Sequence, residues 1–132
     1  MDAFDSDVLI YAADDTIPLG APVLSLFTGS EIVGVGSLLL LVETLPRPLR
    51  RDSPAEVEAI RHLLGRLDLL PLDTDIADVA VDVAQRFNLK APDGIHLATA
   101  LVAGADRFIT NNRRDFESVR IDEIDVVFPD QL

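Results

Sequence analysis

The chain has 132 residues, 48% of them hydrophobic, with no cysteine and a formal net charge of −12. That length suits one domain spanning 1–132, with a core large enough to need no staples. Disulfides and thiolate metal sites are excluded, and the acidic balance argues against an ordinary nucleic-acid binder, whose affinity comes from Lys and Arg set against phosphate.

The opening "MDAFDSDVLIYAA" predicts a buried strand at 2–5, with Asp5 and Asp7 marking its end and a helix start. A helix of roughly 10 residues is expected after Pro18, centred on "APVLSLF" and closed by Gly29. "EIVGVG" is short and β-branched and predicts a second buried strand. Ser37 then stands as the cap of a helix through "LLLLVETL", which Pro46 and Pro48 end. In "SPAEVEAIRHLLGRL", Ser53 at the cap, Pro54 at the first helical position and Glu56 form a capping box. "DLLPLD" predicts a third strand, and "TDIADVAVDVAQRF" a helix capped by Thr74. "APDGIHLATALVAG" predicts a helix entered through Pro92 and left at Gly104. "RFIT" is a fourth strand, 111–119 a short helical turn and "DVVFP" a fifth strand.

Helices alternating with short apolar strands predict an α/β/α three-layer sandwich around a parallel sheet of about five strands. Ligands of such sheets bind beyond the carboxyl ends of the strands, where the strand order reverses. If strands one and four are neighbours there, Asp5 and the segment 110–112 reach one crevice. The longest apolar run, "IVGVGSLLLLV" at 32–42, is short of the roughly 20 residues that span a bilayer. No basic stretch followed by an apolar run opens the chain. A soluble, cytoplasmic protein without a membrane role is expected.

Four polar segments stand out. Asp5 ends a buried strand, a position that helix capping alone explains poorly. Glu43 sits inside a nearly continuous apolar helix, and Glu is seldom buried unless paired. Asp93 occupies the first turn of a helix, where a carboxylate is favourable without any metal. His96 lies one turn on, as a supporting residue at most. Asn112 and Asp115 are three apart and share a face of a helical turn; Thr110 precedes them. Oxygen ligands of this kind suit Mg²⁺ or Mn²⁺, and packed carboxylates repel unless a cation neutralises them. Basic residues are absent before Arg47. Arg47, Arg50 and Arg51 form one cluster and Arg113 and Arg114 another, each just downstream of these acids.

On these residues the chain resembles the PIN-domain family, in particular its VapC-type ribonuclease toxins. "FDSDVLIYA", "SLLLLVETL", "APDGIHLATA" and "FITNNRRDF" are similar to the family's four acidic segments in order and spacing, the third being the most specific. The resemblance implies Asp5, Glu43 and Asp93 as acids that hold Mg²⁺ or Mn²⁺, with Thr110 and Asn112 orienting water or a second ion. It implies endoribonuclease activity on RNA, inhibition by a cognate antitoxin, and a homodimer. The arginines Arg47, Arg50, Arg51, Arg113 and Arg114 are then the candidate phosphate contacts. Two departures matter. Asp7 stands where the family has Asn, and Asn112 where many relatives have a fourth acid, a role Asp115 could fill one turn on. Two other readings compete. "DSD" after a first strand also resembles haloacid-dehalogenase-type phosphatases, which need a Lys, and this chain has only Lys90. A non-catalytic PIN-like module binding RNA or protein is the second.

Overall fold

In the computed structural model, which describes residues 1–132, five short strands alternate with eight helices. The first half runs β1 (Asp2–Phe4), α1 (Ser6–Ala13), α2 (Gly20–Leu24), β2 (Gly34–Ser37), α3 (Leu39–Thr44), α4 (Pro46–Arg50) and α5 (Pro54–Leu64). The second half runs β3 (Leu67–Leu70), α6 (Thr74–Phe87), α7 (Ala91–Val102), β4 (Arg107–Ile109), α8 (Arg113–Phe116) and β5 (Asp125–Val127), followed by a 3₁₀ turn at Pro129–Gln131. All four strand pairings are parallel, in the order β3-β2-β1-β4-β5. The order reverses at β1, so β1 and β4 flank the switch point where such sheets carry their ligands.

Side chains alternate across the sheet, as period-2 strands require. Phe4 and Ile109 face one layer, packed with Val8, Leu9, Val23 and Leu63 from α1, α2 and α5. Ala3 and Phe108 face the other, packed with Val83, Leu97, Ala100 and Phe116 from α6, α7 and α8. This is the expected three-layer α/β/α sandwich on a parallel sheet. Asp2 and Arg107, paired in register, lock the amino ends of β1 and β4 by a bidentate ion pair of 2.8 and 2.9 Å.

Several local expectations need correction. Strand two starts at Gly34, three residues later than "EIVGVG" suggests, because its close neighbours leave no room for side chains. A Cβ on Gly34 would lie 2.3 Å from the Asp2 carbonyl oxygen, and one on Gly36 would lie 2.4 Å from Leu40 Cδ1. The helix after Pro18 spans only Gly20–Leu24, since Leu26 and Phe27 donate to carbonyls three residues back and tighten the chain. Pro46 ends α3 yet opens α4 at its first position, where its missing N–H costs nothing, and Pro48 lies inside α4. Ser53 precedes α5 without making a capping bond. Asp73, not Thr74, caps α6, accepting from the Ile76 amide at 2.9 Å. Ser37 ends β2, and its hydroxyl accepts from the Leu39 amide at 3.1 Å as the chain enters α3.

Candidate active site

Register puts the first two polar groups side by side. Phe4 pairs with Ile109, so Asp5 and Thr110 are the next residues out of neighbouring strands. The Asp5 amide still donates to the Ile109 carbonyl at 2.9 Å. Both residues are buried. Asp5 caps α1 through a 2.8 Å bond from the Ser6 amide to Oδ1. Its other oxygen, Oδ2, accepts from the Thr110 hydroxyl at 2.7 Å. Capping therefore accounts for one oxygen of Asp5 and leaves the other to the site.

The chain beyond β4 wraps into the same place. The Asn112 amide donates to Thr110 Oγ1 at 3.1 Å. The Asn112 side chain caps α8, accepting from the Asp115 amide at 3.3 Å. Its Nδ2 donates to Asp115 Oδ2 at 2.9 Å and, at the long distance of 3.4 Å, toward Asp93 Oδ2. Asn112 thus lies between the carboxylates of Asp93 and Asp115.

The third approach comes from α7 and α3. Asp93 lies in the first turn of α7, and His96, three residues on, shares its face. His96 is 2% exposed. Its Nε2 makes a short contact with Glu43 Oε1 and stands 3.9 Å from Asp5 Oδ1. Glu43, Asp5, Thr110, Asn112, Asp93 and Asp115 are thereby joined, through His96, into one polar network at the carboxyl edge of the sheet.

The five arginines are not part of that network. Arg113 pairs with Asp130, and its guanidinium lies 4.3 Å from the centroid of the Phe128 ring. Arg47, Arg50, Arg51 and Arg114 are exposed and make no ion pair. Three further residues join the site. His96 is its hub, rather than a bystander on an apolar helix. Asp7 Oδ2 accepts from the Asn111 amide at 3.1 Å, holding the loop that carries Asn112. Asn111 lies 3.5 Å from the Tyr11 hydroxyl. The signal available for His96 was its helical spacing from Asp93; for Asn111 it was only its place in the segment 110–112 beyond the fourth strand.

The charges strain against one another. Burial, and after it the charge of Asp5, push the Asp7 carboxyl up to about 7, against the lowering effect of the Asn111 and Val8 amides. Burial, then Asp5 and Asp115, push Asp93 up to about 6, with His96 opposing. For His96, burial favours the neutral ring. The Glu43 hydrogen bond and the charges of Asp5, Glu43 and Asp93 together outweigh it and raise the pKa. Two buried atoms lack any partner, Asp7 Oδ1 and His96 Nδ1.

An anionic, oxygen-rich cluster with raised carboxyl pKa values suits a hard divalent cation, which would relieve the repulsion. No three Asp, Glu or His groups stand close enough to form a closed cage. The donor set therefore fits Mg²⁺ or Mn²⁺ held by one or two carboxylates, with water and substrate oxygens completing the shell, and not a dedicated all-protein site.

A family model for the PIN domain matches residues 3–122 of the chain. Among solved structures, a toxin–antitoxin complex from Klebsiella pneumoniae contains a chain 25% identical, with TM-score 0.75 and full coverage of both chains. A DNA-bound VapBC from Salmonella typhimurium contains one 19% identical, with TM-score 0.72 and 97% of each chain covered, a likeness of fold. No curated protein matches the chain in sequence.

Proposed function

Because the chain belongs to the PIN domain family, we propose that it is a metal-dependent endoribonuclease, the VapC-type toxin of a toxin–antitoxin pair. The observation that carries this reading is the single polar network running Glu43–His96–Asp5–Thr110–Asn112–Asp93/Asp115.

In this reading Asp5, Glu43 and Asp93 would hold the ion, no more than two of them directly and the rest through water, with Asp115 as a further carboxylate beside Asn112. A bound Mg²⁺ or Mn²⁺ supplies Lewis acidity and offsets charge on the phosphodiester. The chain's own groups do the rest. Thr110 fixes one oxygen of Asp5, so that carboxylate cannot rotate away. Asn112 Nδ2 bridges Asp93 and Asp115, fixing those two carboxylates relative to each other. One of the carboxylates accepts the proton of the attacking water. Arg47, Arg50, Arg51 and Arg114, exposed and unpaired, are free for the RNA backbone, while Arg113 must first give up Asp130.

Two partner proposals accompany it. A cleft between the end of α1, α2 and α5 is lined by apolar Ala12, Ile17 and Leu24 and by acidic Asp14, Asp15, Glu56 and Glu58. Its apolar and acidic lining supports docking of a basic amphipathic segment, and the structural neighbours, which come from toxin–antitoxin and VapBC complexes, support an antitoxin as the partner. A second copy of the chain is the proposed occupant of the outer face of α3, where Leu38, Leu41 and Val42 are exposed.

The test is incubation with total RNA, with and without Mn²⁺, of wild type and of Asp5→Asn and Asp93→Asn. Wild type should cleave only with the ion, and each variant should lose about 10²-fold or more in kcat while remaining folded. The lack of a closed three-ligand cage favours the rival reading, a non-catalytic RNA- or protein-binding module. Wild type that binds RNA and ignores Mn²⁺ would establish that rival instead.

A further inference from the structure

Glu43 is poorly held by its own helix. α3 has six residues and no side-chain bond at its N-cap. The preceding residues, Leu41 and Val42, face outward, and the Glu43 side chain is 29% exposed. Its hydrogen bonding runs to one residue, His96. A carboxylate on a short helix with one neighbour gone would swing into water, where it is better solvated.

His96 is the opposite case. It is enclosed in the middle of α7, between Ile95 and the buried Leu97. Its Nδ1 is buried and bonds to nothing. Leaving a buried polar atom unmet is costly, so a histidine kept for stability alone would engage both nitrogens. Here every polar contact is made by Nε2, which faces Glu43 and Asp5 together. Nε2 must carry hydrogen, since a bare lone pair would repel the carboxylate it touches.

We infer that His96 is the positioning residue of the site: its Nε2–H turns Glu43 inward beside Asp5 and so sets the spacing of two acids that approach from separate elements. The inference rests on the nuclease reading, since it assigns Glu43 and Asp5 to one cation. His96 touches neither ion nor RNA; it acts through Glu43.

The experiment measures Mn²⁺ binding directly, by loss of the free-ion paramagnetic resonance signal, alongside cleavage kinetics on a labelled RNA. His96→Leu should weaken Mn²⁺ binding by roughly 10-fold or more. It should lower kcat while leaving KM for RNA within about twofold. His96→Gln, whose amide N–H reaches the place of Nε2, should return to within about threefold of wild type. Adding Glu43→Gln to His96→Leu should cost little more than either change alone. If His96→Leu binds Mn²⁺ like wild type while Glu43→Gln does not, the inference is overturned and the nuclease reading stands. If Asp5→Asn, Glu43→Gln and Asp93→Asn all bind Mn²⁺ normally, the nuclease reading itself fails. Should Leu at 96 prevent folding, wild type supplies the answer through its imidazole ¹⁵N resonances during Mg²⁺ titration. His96 Nε2 should shift along the binding curve, with the exposed His62 as internal control. A His96 signal that stays fixed at saturating Mg²⁺ overturns the inference.

Discussion

Asp7 shows how a single carboxyl can couple the site to stability. In the folded chain its pKa rises to about 7 from an ordinary 3.8. A raised carboxyl binds its proton more tightly in the folded state, so metal-free protein gains stability as pH falls through 7 toward 4 and carries the full penalty above 7. His96, also raised, acts with the same sign: its charged form stabilises at low pH and the benefit fades as pH rises. Thermal melts in EDTA should therefore give a higher Tm at pH 6 than at pH 8. Asp7→Asn should raise the pH 8 value by several degrees and flatten the slope, at roughly 4 °C per kcal/mol for a chain of this size. A steeper slope in Asp7→Asn than in wild type would contradict this account. At this scale the sequence was readable in part. Asp5 and Glu43 stand out because carboxylates are unexpected at the end of a buried strand and in an apolar helix, whereas Asp93, at home in a helix first turn, stands out only through the resemblance of its segment. Thr110 and Asn112 are marked by their segment, but the contacts they make, and the central place of His96, are not legible until their neighbours are known.

At the scale of elements, buried polar groups hold the segments that carry no periodic pattern. Arg66, just before β3, is buried and without a carboxylate. It donates to the carbonyls of Glu31 at 2.6 Å, Phe27 at 3.0 Å and Thr28 at 2.8 Å. This ties down the passage from α2 to β2. Arg66→Met should cost about 2–4 kcal/mol in urea denaturation, since three carbonyls lose their donor. It should leave Mn²⁺ affinity unchanged, because the site is built from other elements. Gly20 is a second such point. A Cβ there would meet the Tyr11 carbonyl oxygen at 2.0 Å, so α1 and α2 could not turn onto each other. Gly20→Ala should destabilise by about 1–3 kcal/mol, more than Gly29→Ala, whose Cβ meets open space and costs only the roughly 1–2 kcal/mol of a left-handed backbone. Comparing the two urea midpoints checks the order. Helix α7 was legible to within two residues, since Pro92 and Gly104 bracket a long apolar pattern. Strand β2 was not, because its glycines answer to Asp2 and Leu40, residues it meets only after folding.

At the scale of the whole molecule, charge and apolar surface are unevenly spread. A net charge of −12 would repel RNA at long range, so in the proposed nuclease the unpaired arginines Arg47, Arg50, Arg51 and Arg114 are the candidates for phosphate contact. Replacing Arg50 and Arg51 with Ala should raise KM for RNA with little change in kcat. It should also reduce the slope of log affinity against log salt by about 0.7 per arginine. An unchanged slope would place the RNA elsewhere. The proposed second copy on α3 gives an independent prediction: Val42, 67% exposed, changed to Asp should yield monomers by light scattering where wild type is dimeric. No helix is long and apolar enough to cross a membrane.

What the sequence determined by itself was local and periodic: the alternation of strands and helices, the approximate place of each, and the acids placed where strands finish. Hydrophobic period and terminal hydrogen bonding act over a few residues, so they are written into short stretches of chain. Tertiary structure alone decided that β1 and β4 are neighbours, that β2 needs glycine, and that His96 stands between Glu43 and Asp5. Those contacts span as many as 105 residues of chain. They exist only once two faces of a sheet have been packed, because the energy that selects them comes from burying the whole core rather than from any one segment.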